Sequence, residues 1–269
     1  MSATFEPSRE RALAEPRWLA EGLWLVGGPG LSGELDALAY LIACGDGQAV
    51  LVDCGTNAPA LLRNAAAAGF APDAIVGVLA THGHLDHLAA APALIDAGCG
   101  GVWLHEAEAA AVRTADPVAT CAYLYGRPAT PVPVAHELVG GGLLRFGTRT
   151  IEVVETPGHS PGSVSYLIDC GDTRVALLGD ALWGGFHPRI GSDLDVWGDT
   201  LAHLQDLECD ALSFGHGPPR LVAPYQEKIA YARSRFGFLC NPWDLPAGGA
   251  DAWVPERPGM SVAALLDRG

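Results

Sequence analysis

The chain has 269 residues, of which 49% are hydrophobic and 17% are charged, and it carries a formal net charge of −15. This length and balance predict a globular protein with one sizeable domain rather than a disordered chain. The negative charge repels phosphate backbones and anionic membrane surfaces, so we expect neither nucleic acid nor a membrane as a partner.

The N-terminal segment, residues 1–20, mixes both charges with prolines and lacks the apolar stretch of a secretory signal. No run in the sequence approaches the roughly 18 apolar residues of a membrane span. The seven cysteines are odd in number and never spaced as CxxC, which is typical of reduced thiols rather than of a disulfide framework. These features predict a cytoplasmic protein.

The first half of the chain has the pattern of strands followed by alternating helices and strands. Short apolar runs predict strands at 22–26, 37–43, 49–52, 74–80 and 101–104. Helices are predicted at about 57–69, 88–97 and 105–113. Residues 115–140 contain four prolines and are interpreted as an insertion or lid loop.

The second half repeats this pattern. Strands are predicted at 143–146, 149–155, 163–169, 174–179 and 211–214, and helices at about 195–207 and 222–235. The loop at 181–195 is a second candidate lid. We predict a single catalytic domain over 1–235 and a C-terminal arm over 236–269. Strands and helices in each half favour two mixed sheets packed face to face, with helices outside.

The segment after the predicted strand at 74–80 contains four potential metal ligands within six residues: His82, His84, Asp86 and His87. On a helix, side chains two residues apart face different directions, so His82 and His84 could not bind one ion there. In a tight loop at a strand end they can, and Gly83 between them allows a bend. Imidazole and carboxylate groups suit zinc, iron or manganese.

Three later strands and one earlier strand also end in a polar residue: His159, Asp180, His216 and Asp53. Taken singly, such a residue is more often part of a turn or cap than a metal ligand. A set of ligand types at successive strand ends is what a metal site at the rim of a sheet requires.

These motifs, in this order, resemble those of the metallo-β-lactamase superfamily over roughly residues 20–235. The resemblance implies an α+β fold, a four-layer αββα sandwich of two mixed β-sheets. It also implies two metal sites, one made by His82, His84 and His159, the other by Asp86, His87 and His216. By the same resemblance, Asp180 bridges the two ions and Asp53 orients the histidine-bearing loop.

This ligand set predicts a hydrolase with two divalent metal ions, first of all Zn²⁺, with Fe or Mn as alternatives. Two ions about 3.5–4 Å apart share a water and lower its pKa to about 7, so a metal-bridged hydroxide would attack the substrate. Asp86 or Asp180 would carry the proton to the leaving group. We favour Asp86, because a terminal ligand takes up a proton more freely than a bridging one.

The substrate class follows from the resemblance and from the charge. True β-lactamases of this fold generally lack an aspartate matching Asp180, so we expect the glyoxalase II-like and lactonase-like branch. No basic cluster lies near the motifs, which favours an ester, thioester or lactone of a small molecule. The side chains predicted to line its pocket are Tyr123, Tyr125, Trp183, Phe186 and His187. Ordinary packing of two loops is the alternative.

Three other functions stay open. The first is that of the persulfide dioxygenases, which have a similar motif set around a single iron. The second is a phosphodiesterase with the same fold. The third is a non-catalytic binding protein that has retained the fold. The tail after His216 is only about fifty residues long, so glutathione binding is not indicated. Metal content separates the first alternative: two zinc ions per chain indicate hydrolysis, and one iron indicates oxygenation.

Overall fold

The computed structural model describes residues 15–182 and 184–236. The predicted pocket residue Trp183 and all but the first residue of the predicted arm lie outside the described residues. Within the described ranges, no helix combines the length and the apolar character needed to cross a membrane.

The first sheet has seven strands in sequence order: β1 (Arg17–Ala20), β2 (Leu23–Gly27), β3 (Ala39–Gly45), β4 (Gln48–Val52), β5 (Ile75–Leu79), β6 (Val102–His105) and β7 (Val134–Leu138). Strands β1 to β4 pair antiparallel. Strands β4 to β7 pair parallel. The sheet is therefore mixed, as predicted.

The second sheet has five strands: β8 (Gly142–Phe146), β9 (Arg149–Glu155), β10 (Val164–Cys170), β11 (Thr173–Leu177) and β12 (Ala211–Ser213). Their order is β12-β11-β10-β9-β8. Strand β12 pairs parallel with β11, and the other neighbours pair antiparallel.

The two sheets pack face to face because their strands alternate apolar side chains toward both sides. In β3, Tyr40 and Ile42 belong to the core between the sheets, together with Tyr166 of β10. Leu41 points to the opposite face of the first sheet. A strand that is buried on both faces requires a layer of helices on the outer side.

Helices provide that layer. On the first sheet lie α1 (Ala58–Ala67), α2 (Leu85–Leu88), α3 (Ala91–Asp96) and α4 (Glu106–Thr114), followed in the chain by the short α5 (Ala122–Tyr125). On the second sheet lie α6 (Leu194–Gln205) and α7 (Tyr225–Arg235). The side chain of Asp193 caps α6 by accepting hydrogen bonds from two backbone N–H groups of its first turn. The predicted αββα sandwich is confirmed.

Two local predictions were wrong. Residues 115–140 are not loop throughout, because they contain the short helix α5 and their last part forms β7. Strand β7 is an edge strand with three exposed residues in the middle, so its sequence lacks an apolar run. The helix predicted at 88–97 is two short helices, and Pro92 lies in the first turn of the second. The lid role of 115–140 and 181–195 stays a prediction.

Candidate metal centre

Five strands end at one edge of the sandwich. Strands β4 and β5 are parallel. Strands β9 and β11 are both antiparallel to β10, and β12 is parallel to β11. The residues that follow these five strands are Asp53, His82, His159, Asp180 and His216. Since parallel strands deliver their carboxyl ends to one edge, side chains far apart in the sequence meet there.

Tyrosine hydroxyls fix the two sheets to each other at this edge. Tyr40 of the first sheet donates to the carbonyl of Phe214 at 2.8 Å and contacts the hydroxyl of Ser213. Tyr166 of the second sheet donates to the carbonyl of Ala80 at 2.7 Å. These buried hydrogen bonds set the distance between the histidine loop after β5 and the segments after β11 and β12.

The first group of ligand atoms belongs to three buried histidines. His82 Nε2 lies 2.9 Å from His84 Nδ1, and His159 Nε2 lies 3.1 Å from the same atom. Ligand atoms 2.0–2.1 Å from a tetrahedral zinc ion lie about 3.4 Å apart. The three nitrogens therefore converge at a spacing that suits one ion.

The second group consists of Asp86, His87 and His216. Asp86 and His87 lie on α2, which begins directly after His84. His87 Nε2 lies 3.3 Å from His216 Nε2, and Asp86 Oδ2 lies 2.8 Å from the same atom. Two imidazole nitrogens and a carboxylate oxygen again face one point.

Asp180 lies between the two groups. Its Oδ2 is 3.4 Å from His159 Nε2 and 3.7 Å from His216 Nε2. Its Oδ1 is 3.5 Å from His87 Nε2. Gly215 makes room for this carboxylate, because a Cβ at that position would lie 2.1 Å from Asp180 Oδ1. The structure thus brings together all the ligands predicted from the sequence.

Asp53 contacts His87 directly and His82 through Thr81, on the side of each ring that faces away from the site. Its Oδ2 lies 2.9 Å from His87 Nδ1. Its carboxylate accepts hydrogen bonds from the backbone N–H of Thr81 at 2.8 Å and from the Thr81 hydroxyl at 2.9 Å. The same hydroxyl lies 3.0 Å from His82 Nδ1. Each contact occupies Nδ1 and leaves Nε2 of His82 and His87 directed at the site.

Asp53 adopts a left-handed backbone conformation, with φ of 57°. Apart from glycine, asparagine and aspartate adopt this conformation most often, at a cost in free energy, and such positions are found at functional sites. Here it turns the chain at the end of β4 so that the carboxylate points to the histidine loop.

The loop after Asp180 holds His159. The carbonyl of Gly185 accepts a hydrogen bond from His159 Nδ1 at 2.7 Å, and the Ser192 hydroxyl donates to the His159 carbonyl at 2.6 Å. These contacts have no sequence signature, since one is made by a backbone carbonyl and the other by a loop serine. Thr81, next to His82, is a further functional residue that the motif analysis missed.

The pKa values of the ligands separate into two classes. Burial, together with the neighbouring imidazoles, lowers the pKa of His82, His84 and His159 below the usual 6.5. Burial also opposes the charged forms of His87 and His216, yet the aspartate charges around them raise their pKa above 6.5.

The two aspartates have low pKa values. Burial raises the pKa of Asp180, but His216 and His87 outweigh it and bring the pKa to about 2. The pKa of Asp86 is likewise held well below its usual range by His87 and His216, against the effect of burial. Both side chains are therefore carboxylates at neutral pH, the form that binds metal.

The donor set fits divalent metal ions. Among the described residues, Asp180 Oδ1 is a buried carboxylate oxygen without a hydrogen-bond partner. A buried carboxylate oxygen without a partner is costly in a folded protein. For this Asp180 oxygen, coordination of a cation would remove the cost, and five imidazoles complete a ligand set typical of zinc.

The predicted pocket residues lie in different surroundings. Tyr125 reaches the centre: burial raises its pKa, and so do the charge of Asp86 and a hydrogen bond to that carboxylate. The ring of Tyr123 lies 4.9 Å from the guanidinium carbon of Arg189. Phe186 packs against the core under α6. His187 caps a short 3-10 helix, accepting from the backbone N–H of Arg189 at 3.0 Å.

Residues 158–162 read GHSPG and so have the letters of a GxSxG serine motif. The segment joins two strands rather than a strand and a helix, which is the wrong context for a serine nucleophile. Ser160 is buried, and its hydroxyl contacts Glu108 and Ser163. The motif therefore does not mark a serine nucleophile.

Comparisons with known proteins agree on one family for this chain. A family model for the metallo-beta-lactamase superfamily matches residues 32–216. The probable metallo-hydrolase YqgX of Bacillus subtilis (strain 168) is 33% identical over 204 residues, which are 73% of this chain and 92% of that protein. A hydroxyacylglutathione hydrolase of Photorhabdus laumondii is 26% identical over 78% of this chain and 77% of its own length.

Solved structures match over most of the chain. The metallo-beta-lactamase MIM-1 from Novosphingobium pentaromativorans has a TM-score of 0.68 at 23% identity, covering 86% of this chain and 91% of that one. The metallo-beta-lactamase GOB-18 from Elizabethkingia meningoseptica has a TM-score of 0.67 at 21% identity, covering 86% and 92%. At this level of identity the likeness concerns the fold alone.

Proposed function

This chain belongs to the metallo-beta-lactamase superfamily and is a metal-dependent hydrolase, and we propose that it uses two divalent ions to cleave an ester, thioester or lactone of a small molecule. The observation that carries the proposal is the position of Asp180, whose Oδ2 lies 3.4 Å from His159 Nε2 and 3.7 Å from His216 Nε2. A carboxylate within reach of a ligand from each group supports a centre of two ions.

In this proposal the histidines 82, 84 and 159 hold one ion, and Asp86, His87 and His216 hold the other. Zinc suits both groups, because each offers three imidazole or carboxylate ligands and leaves a position for substrate or water. When bound, such ions acidify a coordinated water and stabilise negative charge on a substrate oxygen. Asp53 and Thr81 keep His87 and His82 in the tautomer that presents Nε2.

The proton that reaches the leaving group is assigned to Asp86. This side chain lies at one end of the ligand set rather than between the two groups, so it can release an oxygen to accept a proton. Tyr125, whose pKa is raised by burial and by Asp86, keeps its hydroxyl proton at neutral pH and holds the carboxylate in place.

An acyl compound is the proposed substrate class. Several relatives are named hydroxyacylglutathione hydrolase, at 26% to 31% identity. The net charge of −15 disfavours nucleic acid as a substrate. Tyr123, Tyr125 and Phe186 lie on the two segments proposed as lids. We infer a cytoplasmic location, which the free thiols of all described cysteines support.

The proposal is tested with purified protein of measured metal content. A panel of an aryl ester, an acyl thioester, a lactone and a bis-aryl phosphodiester is assayed before and after chelation. We expect hydrolysis of at least one acyl substrate, its loss on chelation and its recovery with two equivalents of zinc. One iron per chain, with oxygen uptake on a persulfide and no hydrolysis, would overturn the proposal, as would cleavage of the phosphodiester alone.

A further inference from the structure

Glu108 is a buried carboxylate outside the ligand set. It lies in the first turn of α4, and only 8% of its surface is exposed. Its neighbour Glu106, two residues earlier on the same helix, is exposed. The Glu108 side chain points toward the loops of the metal centre instead of toward solvent.

The Glu108 carboxylate accepts hydrogen bonds from both histidine loops. Oε2 accepts from the backbone N–H of Gly83, which lies between His82 and His84. Oε1 accepts from the backbone N–H of Gly162 at 2.9 Å and from the hydroxyl of Ser160, the residue after His159. One side chain therefore connects the loop of the first two histidines to the loop of the third.

Both loops are shaped around this carboxylate. A Cβ at Gly83 would lie 2.8 Å from Glu108 Oε2 and 2.6 Å from Val112 Cγ2. A Cβ at Gly162 would lie 2.9 Å from Glu108 Cγ. Close packing against α4 thus requires glycine at position 83. This is a further reason for Gly83, besides the bend predicted from the sequence. Any side chain there would push the histidine loop off the glutamate.

The charge of Glu108 is compensated by neutral donors only, since no ion pair in the described part of the chain includes it. A buried carboxylate held by neutral groups is costly unless positive charge is near. A cation among the three histidines would be stabilised by this charge.

We propose that Glu108 is a positioning residue of the metal centre, which joins the loop of His82 and His84 to the loop of His159 and keeps their nitrogens at the spacing of one ion. This rests on the proposed function, because it assumes that these histidines bind metal. Glu108 acts on the ligands through the backbone of their loops and contacts neither ion nor substrate.

The test is the zinc affinity of the Glu108→Gln variant, measured on metal-free protein by competition with a chromophoric chelator. A glutamine amide offers one acceptor in place of two, so its NH₂ group would face one of the N–H or O–H donors. Loss of a residue that orients ligands lowers metal affinity by about 10–100-fold, and we expect a loss in that range. Cobalt substitution gives a second readout, a changed d–d absorption spectrum at unchanged metal content.

Glu106→Gln is the matched control, because it removes the same charge from the exposed side of the same helix. It should bind zinc as the wild type does. Circular dichroism of both metal-free variants establishes that they are folded. If Glu108→Gln does not fold, Ser160→Ala, which removes one donor and leaves the two backbone donors, is expected to lower zinc affinity severalfold.

Zinc affinity and cobalt spectrum of folded Glu108→Gln equal to those of the wild type would overturn the inference while leaving the proposed function intact. If Glu108→Gln does not fold, wild-type affinity in Ser160→Ala would overturn it in the same way. Failure of the proposed function has a different signature, since the wild-type protein itself would then bind no zinc or, with zinc bound, hydrolyse none of the acyl substrates.

Discussion

His87 Nδ1 lies 2.9 Å from Asp53 Oδ2, and both side chains are buried at the point where the two sheets meet. The contact turns the opposite ring nitrogen toward Asp180, 3.5 Å away. A residue at the end of β4 thus sets the direction of a ligand on α2, and the same carboxylate binds the backbone and hydroxyl of Thr81. Outer contacts of this kind fix both the tautomer and the orientation of a metal-binding histidine.

Replacement of Asp53 by asparagine should weaken metal binding without unfolding the protein. The amide keeps the shape of the side chain but presents an NH₂ group to one of its three partners. We expect zinc affinity to fall by about 10–100-fold. Chelator competition measures this, with the exposed Asp172→Asn as a control for loss of charge. Wild-type affinity in Asp53→Asn would show that Asp53 does not orient the site.

Gly215→Ala should lower activity because the added methyl group occupies space that two of the proposed ligands fill. The added methyl group would lie 2.1 Å from Asp180 Oδ1 and 2.7 Å from His87 Cε1, so these ligands must move. Displacement by about 1 Å at a reacting site costs about 10²-fold in rate, and we expect kcat/KM to fall by at least that factor.

The matched control for this methyl group is Gly198→Ala on α6, where the new Cβ would meet its nearest atom at an ordinary 3.5 Å. Alanine stabilises a helix interior by about 0.5–1 kcal/mol relative to glycine. Gly198→Ala should therefore keep full activity and unfold at a slightly higher temperature. Equal activity in Gly215→Ala and Gly198→Ala would contradict the close approach of Gly215 to the ligands.

Metal binding should release protons mainly from one group of ligands. At pH 6.5 His87 and His216, whose pKa is raised, are more than half protonated in the metal-free protein. His82, His84 and His159, whose pKa is lowered, are mostly neutral. Because protons and metal compete, affinity at the group of Asp86, His87 and His216 should rise with pH above 6.5, and affinity at the three-histidine group should change less.

Isothermal titration calorimetry in buffers of different ionisation enthalpy counts these protons. The expected result is two binding events, of which one releases most of the protons at pH 6.5. The raised pKa values also stabilise the metal-free protein below pH 6.5, a contribution lost as the pH rises through the folded-state pKa values. Equal proton release in both events would contradict the division into two groups.

Asp180→Ala should lower metal stoichiometry as well as activity. The carboxylate contributes to both groups, so its loss leaves each with three ligands and no shared atom. We expect one retained ion per chain and a decrease of at least 10²-fold in kcat. Inductively coupled plasma mass spectrometry of the purified variant gives the count. Two retained ions with normal turnover would rule out the bridging role.

The ligands were predictable because they occupy short motifs at strand ends, and the alternation of apolar residues identified most strands. The features that the sequence did not predict depend on contacts between distant segments of the chain. Glu108 is one of two glutamates on α4, and only the fold brings it against Gly83 and Gly162. Strand β7 was not predicted because it lacks an apolar pattern. It is a strand because it pairs with β6.

The same limit applies to the pocket. Tyr125 was one of five residues proposed from two loops, and its contact with Asp86 depends on the path of 115–125 across the edge of the sheet. His187 was proposed from its proximity to Asp180 in sequence, and the structure uses its Nδ1 in a helix cap. Motifs at strand ends are positioned by the sheet, whereas loop residues are positioned by packing that one sequence does not encode locally.

The most direct test of the central claim is the number of metal ions bound per chain, counted in the wild type and in His84→Ala. The account predicts two divalent ions in the wild type, and loss of the ion at the three-histidine group together with all hydrolysis in the variant. A wild-type protein that binds no ion after incubation with zinc, or a His84→Ala variant that keeps two ions and full activity, would contradict it.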